Sequence, residues 1–593
     1  MPLKKASKAR AVTVVITMSK TNSPSSHLDI PEHLQEYITE QDPSLYTPED
    51  HASWRFIMRV SKAFFKNHAH PLYLAGLEAT GISSERIPLI SEMDAALRKM
   101  GWRAVAINGF IPPSIFLEFQ SLKILAIACD MRKIENLGYT PSPDIVHEAA
   151  GHAPIVCDPH YRSYLEAYGQ VARNAIISKQ DLDLYNVIFD LSEIKENPKA
   201  TPEEIALVQK RFEGVAASIT EPSEAAVLAR MAWWTTEYGM IEVNGKPLIY
   251  GAGLLSSILE SHHCILPSVK KTPFSLDAAL KTSYDITRPQ PQLFVAKSFE
   301  ALTVALEDFA NEMSFRKGGA YGLNTAVKAE ATVTVAMDSG IQISGIVTQF
   351  ENNEANEILS FTVIGTKQFS YHEEAMTEIS ATHFGNKIYF PLFDSSISTI
   401  SLTDIQKKLH SNGLPTKSGN RITGHFKKEV RLGTGGRLIV LEHVKVVSPN
   451  GKVIFEDKTH LYPLFLGSKV ISVFGGAADR KEFALRNSNQ KKKVASHKTN
   501  FKNGNERFCE SYNKIRALRV VGKQDYEMLE NILEDVPSTQ PRSWLQLLEI
   551  LELYKKWALP HPNIAMIEAQ LKKHAAENNK LKEQIIMGLE LLA

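Results

Sequence analysis

The chain has 593 residues, 44% hydrophobic and 22% charged, with a formal net charge of +1. That length allows two to four domains with a sizeable core, and the charge balance carries no global bias toward nucleic acid. Cys129, Cys157, Cys264 and Cys509 are scattered without a C-x-x-C pair, which excludes a dense disulfide framework and fits a reducing, cytoplasmic setting.

At the N-terminus Lys4, Lys5, Lys8 and Arg10 precede a short apolar stretch from Ala11 to Met18, with no small-residue cleavage site after it. Met18 opens a polar run and is read as the translation start, so residues 1–40 are expected to be a disordered or mis-annotated tail. No apolar run is long enough to span a membrane. Residues 48–76, 92–100, 114–131, 160–178 and 222–239 show apolar positions at helical spacing. They predict a mainly α catalytic region over 41–324, with an inserted helical excursion at about 178–221, rich in Lys and Glu and containing Pro198 and Pro202. Beyond 325 the pattern alternates at 331–337, 342–348, 359–364 and 438–447, and Asn450-Gly451 is a hairpin signal. This reads as a β-rich domain over 325–475. Within it Gly433-Thr434-Gly435-Gly436 lacks the lysine and following helix of a phosphate loop and is read as a turn. Residues 476–506, with Lys491-Lys492-Lys493, read as a solvated linker. The remainder, 507–593, reads as a module of amphipathic helices interrupted near Pro537 and Pro560, suited to a protein partner or a second copy.

The most informative segment is Pro143 to Pro154, where His147-Glu148 is followed by Gly151-His152. Zinc hydrolases carry H-E-x-x-H, whose histidines share a helix face. Here the spacing is i, i+5, which on an ideal helix sets the two about 140° apart. The helix is therefore expected to end or distort between them, and Gly151 and Pro154 are residue types that do so. Glu237, in Ala232-Trp233-Trp234-Thr235-Thr236-Glu237-Tyr238-Gly239, offers a carboxylate in an aromatic setting that disfavours an unpaired charge. Two imidazoles and one carboxylate would make the facial triad of non-haem Fe(II) oxygenases. The residues alone leave other readings open: two unrelated histidines near a helix end, an ordinary helix-face glutamate, or a zinc hydrolase with Glu148 as base.

The run Tyr139 to Gly151-His152, the Trp233 to Gly239 segment and Tyr250-Gly251-Ala252-Gly253-Leu254-Leu255-Ser256-Ser257 resemble, in this order, the aromatic amino acid hydroxylases. Ile87-Pro88, Gly109 to Leu117 and Gln290 to Phe299 are similar too, so the resemblance covers roughly 60–320. It implies an iron(II)- and tetrahydropterin-dependent monooxygenase that uses O₂ to hydroxylate the ring of a free aromatic amino acid. L-phenylalanine is the expected substrate, with tryptophan or tyrosine as alternatives. It makes His147, His152 and Glu237 the iron ligands, Arg132 and Ser256 the residues at the substrate carboxylate, and Thr140 and Trp233 pocket residues. Asp144 and Glu260 become supporting acids. Gly109, Ile111, Phe116 and Glu148 fall on the pterin side. Pro112, Pro113 and Ala232 depart from the pattern of animal members, and the 85 positions from His152 to Glu237 are about twice what the family implies. Neither terminus resembles the family's regulatory domain or tetramerisation helix. A binding module carrying a degenerate hydroxylase domain is the remaining alternative; intact ligand and substrate positions argue against it.

Overall fold

The computed structural model describes residues 30–593 except 110, 139–142, 197–199, 286–288, 377–382, 433–435, 488–505, 523, 537–542 and 558–559. The first long helix, Pro48–His68, begins where Thr47 and Asp50 cap each other reciprocally and Pro48 takes the first helical position. It stops short of 76: Pro71 lies in the break, and a second helix runs Tyr73–Ala79.

A larger correction falls at 114–131. Helix Pro113–Ser121 gives way to a strand, Ile124–Ala128, buried along its whole length. Its unbroken apolar run does not alternate, so periodicity cannot tell it from a buried helix. Lys123, at φ 61°, turns the chain between the two. The strand lies parallel to Arg103–Ile107, with Arg103 opposite Ile124, and the helix is the crossover between them. Residues 30–40, assigned by sequence to the tail, complete this sheet: Ile38 pairs with Ile107, and Leu34 is fully buried against it. Apolar side chains at Leu34, Tyr37 and Ile38 explain this order.

A second feature positions the site. Asn244 and Gly245, both at positive φ, form a two-residue turn between antiparallel strands Met240–Val243 and Lys246–Ile249. The hairpin folds the segment after it onto the segment before it. Gly251 comes so close to the carbonyl oxygen of Glu237 that a Cβ there would lie 2.3 Å away.

The excursion at 178–221 is a pair of helices, Lys179–Glu196 and Pro202–Ser218, joined by an Arg211–Asp190 ion pair of 2.9 Å. From Thr332 the chain forms two antiparallel sheets. One is built on the central strands Thr332–Met337, Ile341–Asn352 and Ile358–Tyr371, the other on Arg421–Leu432 and Gly436–Val447. Their inner faces share a core that includes Phe361, Phe369, Phe390 and Phe465. Gly451, at φ 86°, turns the chain from Gly436–Val447 into Val453–Asp457. Gly433, Thr434 and Gly435 lie outside the described residues, as does most of the expected linker.

The amphipathic faces at 507–593 are not left open. Helices Glu506–Val521, Tyr526–Asp535, Trp544–Lys556, Pro562–Glu577 and Lys582–Leu592 contribute to the same core as Pro48–His68. Trp544 meets Phe56 edge to face at 5.1 Å. Arg55, buried, pairs with Glu549 at 3.0 Å and also with Glu552 and Glu85. Among the described residues no helix is long and apolar enough to cross a membrane.

Candidate metal centre and its cavity

The segment Val146–His152 is a π-helix. Bonding from i to i+5 takes up roughly one more residue per turn than an α-helix. Positions five apart, divergent on an α-helix, thereby come onto one face, and the Nε2 atoms of His147 and His152 stand 3.2 Å apart. The expected distortion is thus a widened turn rather than an ending. Gly151 serves close packing: a Cβ there would lie 2.7 Å from the carbonyl oxygen of Ala252, at the start of helix Ala252–Leu255. Pro154 opens the 3₁₀ turn that follows.

Glu237 arrives from a second π-helix, Trp233–Glu237, continuing helix Glu224–Ala232. One carboxylate oxygen lies 3.2 Å from Nε2 of His152 and the other 3.4 Å from Nε2 of His147. His147, His152 and Glu148 also have donor atoms within 4.8 Å of one another, so two carboxylates compete for third place. Their environments separate them. Burial opposes charge on Glu237, but the two histidines outweigh it and hold the carboxyl down at about 2. Burial pushes Glu148 up to about 8, with His152 only partly offsetting it. At neutral pH Glu237 is the anion, and it is the one that bridges both Nε2 atoms. Burial likewise works against the charged form of His152, yet the Glu237 charge and hydrogen bond raise it to about 9. His147 is held down to about 4, chiefly by burial.

Ser256 fixes the tautomer. Its hydroxyl donates to the carbonyl of Ala252 at 2.7 Å and so accepts from Nδ1–H of His147 at 3.1 Å, leaving Nε2 with a lone pair. Expected at the substrate carboxylate, Ser256 lines the cavity and has contacts with His147 and the Ala252 carbonyl. Arg132, 1% exposed at its side chain, grips both oxygens of Asp144 through Nε (2.8 Å) and Nη2 (2.7 Å), and donates from Nη1 to the carbonyl of Ser256 (2.9 Å). Asp144 also accepts the His147 amide at 3.0 Å. One carboxylate therefore orients the arginine and anchors the π-helix that carries His147 and His152.

These groups line a cavity of about 430 Å³, within the usual size of small-molecule sites. It opens beyond the C-terminal ends of the two parallel strands, where α/β sheets commonly place ligands. Gly109, at φ 58°, and Ile111 follow one strand, Arg132 follows the other, and Phe116 enters from the crossover helix. The Phe116 ring is tilted against His152 at 6.5 Å. Pro112 and Pro113 begin that helix: the carbonyl of Pro112 accepts from Ile115 and Phe116, and Pro113 is its first residue, where a missing N–H costs nothing. Trp233 also lines the cavity, stacked on Tyr238 at 4.5 Å and on Tyr284 at 4.2 Å. Glu260 is not brought to the cavity. It is buried in helix Ile258–Cys264, where burial raises its carboxyl to about 7. Thr140 lies outside the described residues. Leu165, Tyr168 and Tyr284 also line the cavity; sequence reasoning missed them, because each belongs to a segment whose pattern signals only packing.

A family model described as biopterin-dependent aromatic amino acid hydroxylase matches residues 34–201 and 211–351. The chain is 28% identical over 269 residues to a phenylalanine-4-hydroxylase of Ralstonia nicotianae, covering 45% of this chain and 72% of that protein. It is 27% identical over 277 residues to one of Mesorhizobium japonicum, covering 46% and 84%. A solved structure of Chromobacterium violaceum phenylalanine hydroxylase with bound iron(III) and 7,8-dihydrobiopterin matches at 26% identity and a TM-score of 0.37, covering 47% of this chain and 86% of that one.

Proposed function

The chain belongs to the biopterin-dependent aromatic amino acid hydroxylases and is an aromatic amino acid monooxygenase; we propose that it uses iron(II), a tetrahydropterin and O₂ to convert free L-phenylalanine to L-tyrosine. The observation that carries this reading is the approach of two Nε2 atoms and one carboxylate to within 3.2–3.4 Å of one another in the wall of the cavity. That donor set fits an iron(II) site held by two imidazoles and one carboxylate.

When bound, iron and the reduced pterin supply O₂ activation and oxygen transfer; the protein's own residues orient, hold protons and exclude water. Glu237 compensates the metal charge, and Ser256 keeps the Nε2 lone pair of His147 directed at it. Arg132, pre-set by Asp144, receives the amino acid carboxylate, a task suited to a planar guanidinium. Trp233, braced by two tyrosines, offers a fixed face to the substrate ring. Phe116 and Glu148 also line the cavity; Phe116 would stack on the pterin, and Glu148, whose carboxyl burial raises to about 8, would donate a hydrogen bond to it. Pro112 and Pro113 withhold two amides from that side, so stacking takes a larger share of cofactor binding.

A zinc hydrolase using Glu148 as base is disfavoured by the family match, which is to hydroxylases. Phenylalanine is favoured over tryptophan and tyrosine by the names of the relatives. The test is anaerobic reconstitution with Fe(II), followed by O₂, tetrahydrobiopterin and each aromatic amino acid in turn. Tyrosine from phenylalanine is expected to dominate. Preferential turnover of tryptophan or tyrosine would overturn the substrate assignment, and no oxygenated product from any of them would overturn the proposal.

A further inference from the structure

The helix that brings Phe116 into the cavity has an opposite face. Two positions on, about 200° around the helix, is Glu118, 4% exposed and turned away from the cavity. Its two oxygens are both engaged. One faces Nε2 of His33 at 3.0 Å. The other accepts from Nη1 of Arg480 at 3.1 Å. Arg480 lies about 360 positions away, just after the last strand of the β-rich unit, Val470–Gly475. Its Nη2 also donates to the carbonyls of Arg173 and of Gly475, the latter at 3.3 Å.

This contact is built into a tight junction. A Cβ on Gly475 would lie 2.1 Å from the carbonyl oxygen of Ala175, so the strand end abuts the C-terminus of helix Pro159–Asn174 directly. Ile176 is part of the β unit's own core. Lys481 adds a 3.7 Å ion pair to Glu32, beside His33. The β-rich unit thus reaches across to the back of the helix whose front carries Phe116, Leu117 and Gln120 into the cavity.

We propose that Arg480 is a positioning residue for the pterin side of the active site, holding helix Pro113–Ser121 through Glu118 so that Phe116 stands where the cofactor stacks. The proposal rests on the hydroxylase reading for the identity of the cofactor. Without Arg480, the buried Glu118 carboxylate keeps only His33, and the oxygen left open must find another partner or shift, and the helix shifts with it. The metal ligands and Arg132 come from other segments, so metal and amino acid binding are spared. The β-rich unit is then part of the active-site architecture.

The test uses the full chain, iron-loaded, with 7,8-dihydrobiopterin binding measured by calorimetry and phenylalanine binding measured separately. Arg480→Gln is expected to weaken dihydropterin binding about tenfold, with iron content and phenylalanine affinity unchanged. Glu118→Gln should do less. The double variant should recover part of the loss, because neither charge is then stranded. Arg480→Lys should sit between Arg480→Gln and the native protein. If Arg480→Gln fails to fold, Glu118→Gln and Arg480→Lys carry the same criterion. Unchanged dihydropterin affinity in folded variants, or equal losses for dihydropterin and phenylalanine, would overturn the proposal. A native protein that binds dihydropterin but hydroxylates nothing would sink the hydroxylase reading and leave this one standing; one that binds no dihydropterin would sink both.

Discussion

Ser256→Ala isolates one atom of the candidate metal centre. The hydroxyl passes a hydrogen bond between Nδ1–H of His147 and the carbonyl of Ala252, and the residue is buried. Its removal leaves the imidazole N–H without its partner and the ring free to rotate about χ2. An unsatisfied buried donor costs about 1–3 kcal/mol, and loss of a group that orients a metal ligand lowers metal affinity about 10- to 100-fold. The two figures agree, since a factor of ten is about 1.4 kcal/mol. Anaerobic competition of Fe(II) against a chelator measures the effect in native protein, Ser256→Ala and Ser256→Thr. The threonine variant keeps the hydroxyl and should retain most of the affinity. Native-like iron affinity in Ser256→Ala would refute the tautomer argument. A large drop in phenylalanine binding with iron affinity intact would return Ser256 to the substrate.

Three further outcomes follow from the same contacts. In the metal-free protein at pH 7, Glu237 near 2 is ionised, His147 near 4 is neutral and His152 near 9 holds a proton; Fe(II) binding should therefore release about one proton. Calorimetry in buffers of different ionisation enthalpy would show that release fading as pH rises through 9, and no proton release at pH 7 would contradict it. Asp144→Ala strands the Arg132 guanidinium and unties the His147 amide, so urea unfolding should show a loss of about 3–5 kcal/mol. Gly151→Ala drives a methyl to 2.7 Å from the Ala252 carbonyl oxygen; a cost of about 1–3 kcal/mol is expected, together with weakened iron binding because the same helix leads into Ser256. Unchanged stability in either variant would show that its contact is relieved elsewhere.

The His147–His152 pair stands out in the sequence because i, i+5 is odd for an α-helix, and the π-helix brings its two Nε2 atoms together; Glu237 is reached through its aromatic setting and the resemblance. Phe116, Arg132 and Trp233 were legible through resemblance, and they line the cavity. The strand Ile124–Ala128 was not, since a strand buried on both faces has no alternation to read. Ser256, expected at the substrate carboxylate, lines the cavity and also hydrogen-bonds His147, a contact the sequence does not show because a hydroxyl's partner depends on which backbone folds against it. Glu260, expected as a supporting acid, is buried in helix Ile258–Cys264 and is not among the residues lining the cavity. The packing of 507–593 on Pro48–His68 was also invisible, as an amphipathic face states that it is covered and never by what. Glu118 and Arg480, more than 350 positions apart, meet only because a strand end docks on a helix terminus.

The most direct test of the central claim is a reaction of iron-reconstituted protein with tetrahydrobiopterin, phenylalanine and ¹⁸O₂, with the product analysed by mass spectrometry. The account predicts tyrosine carrying one labelled oxygen in its ring hydroxyl, formed by the native protein and lost with His147→Ala. Tyrosine without label, or product formation undiminished in His147→Ala, would contradict it.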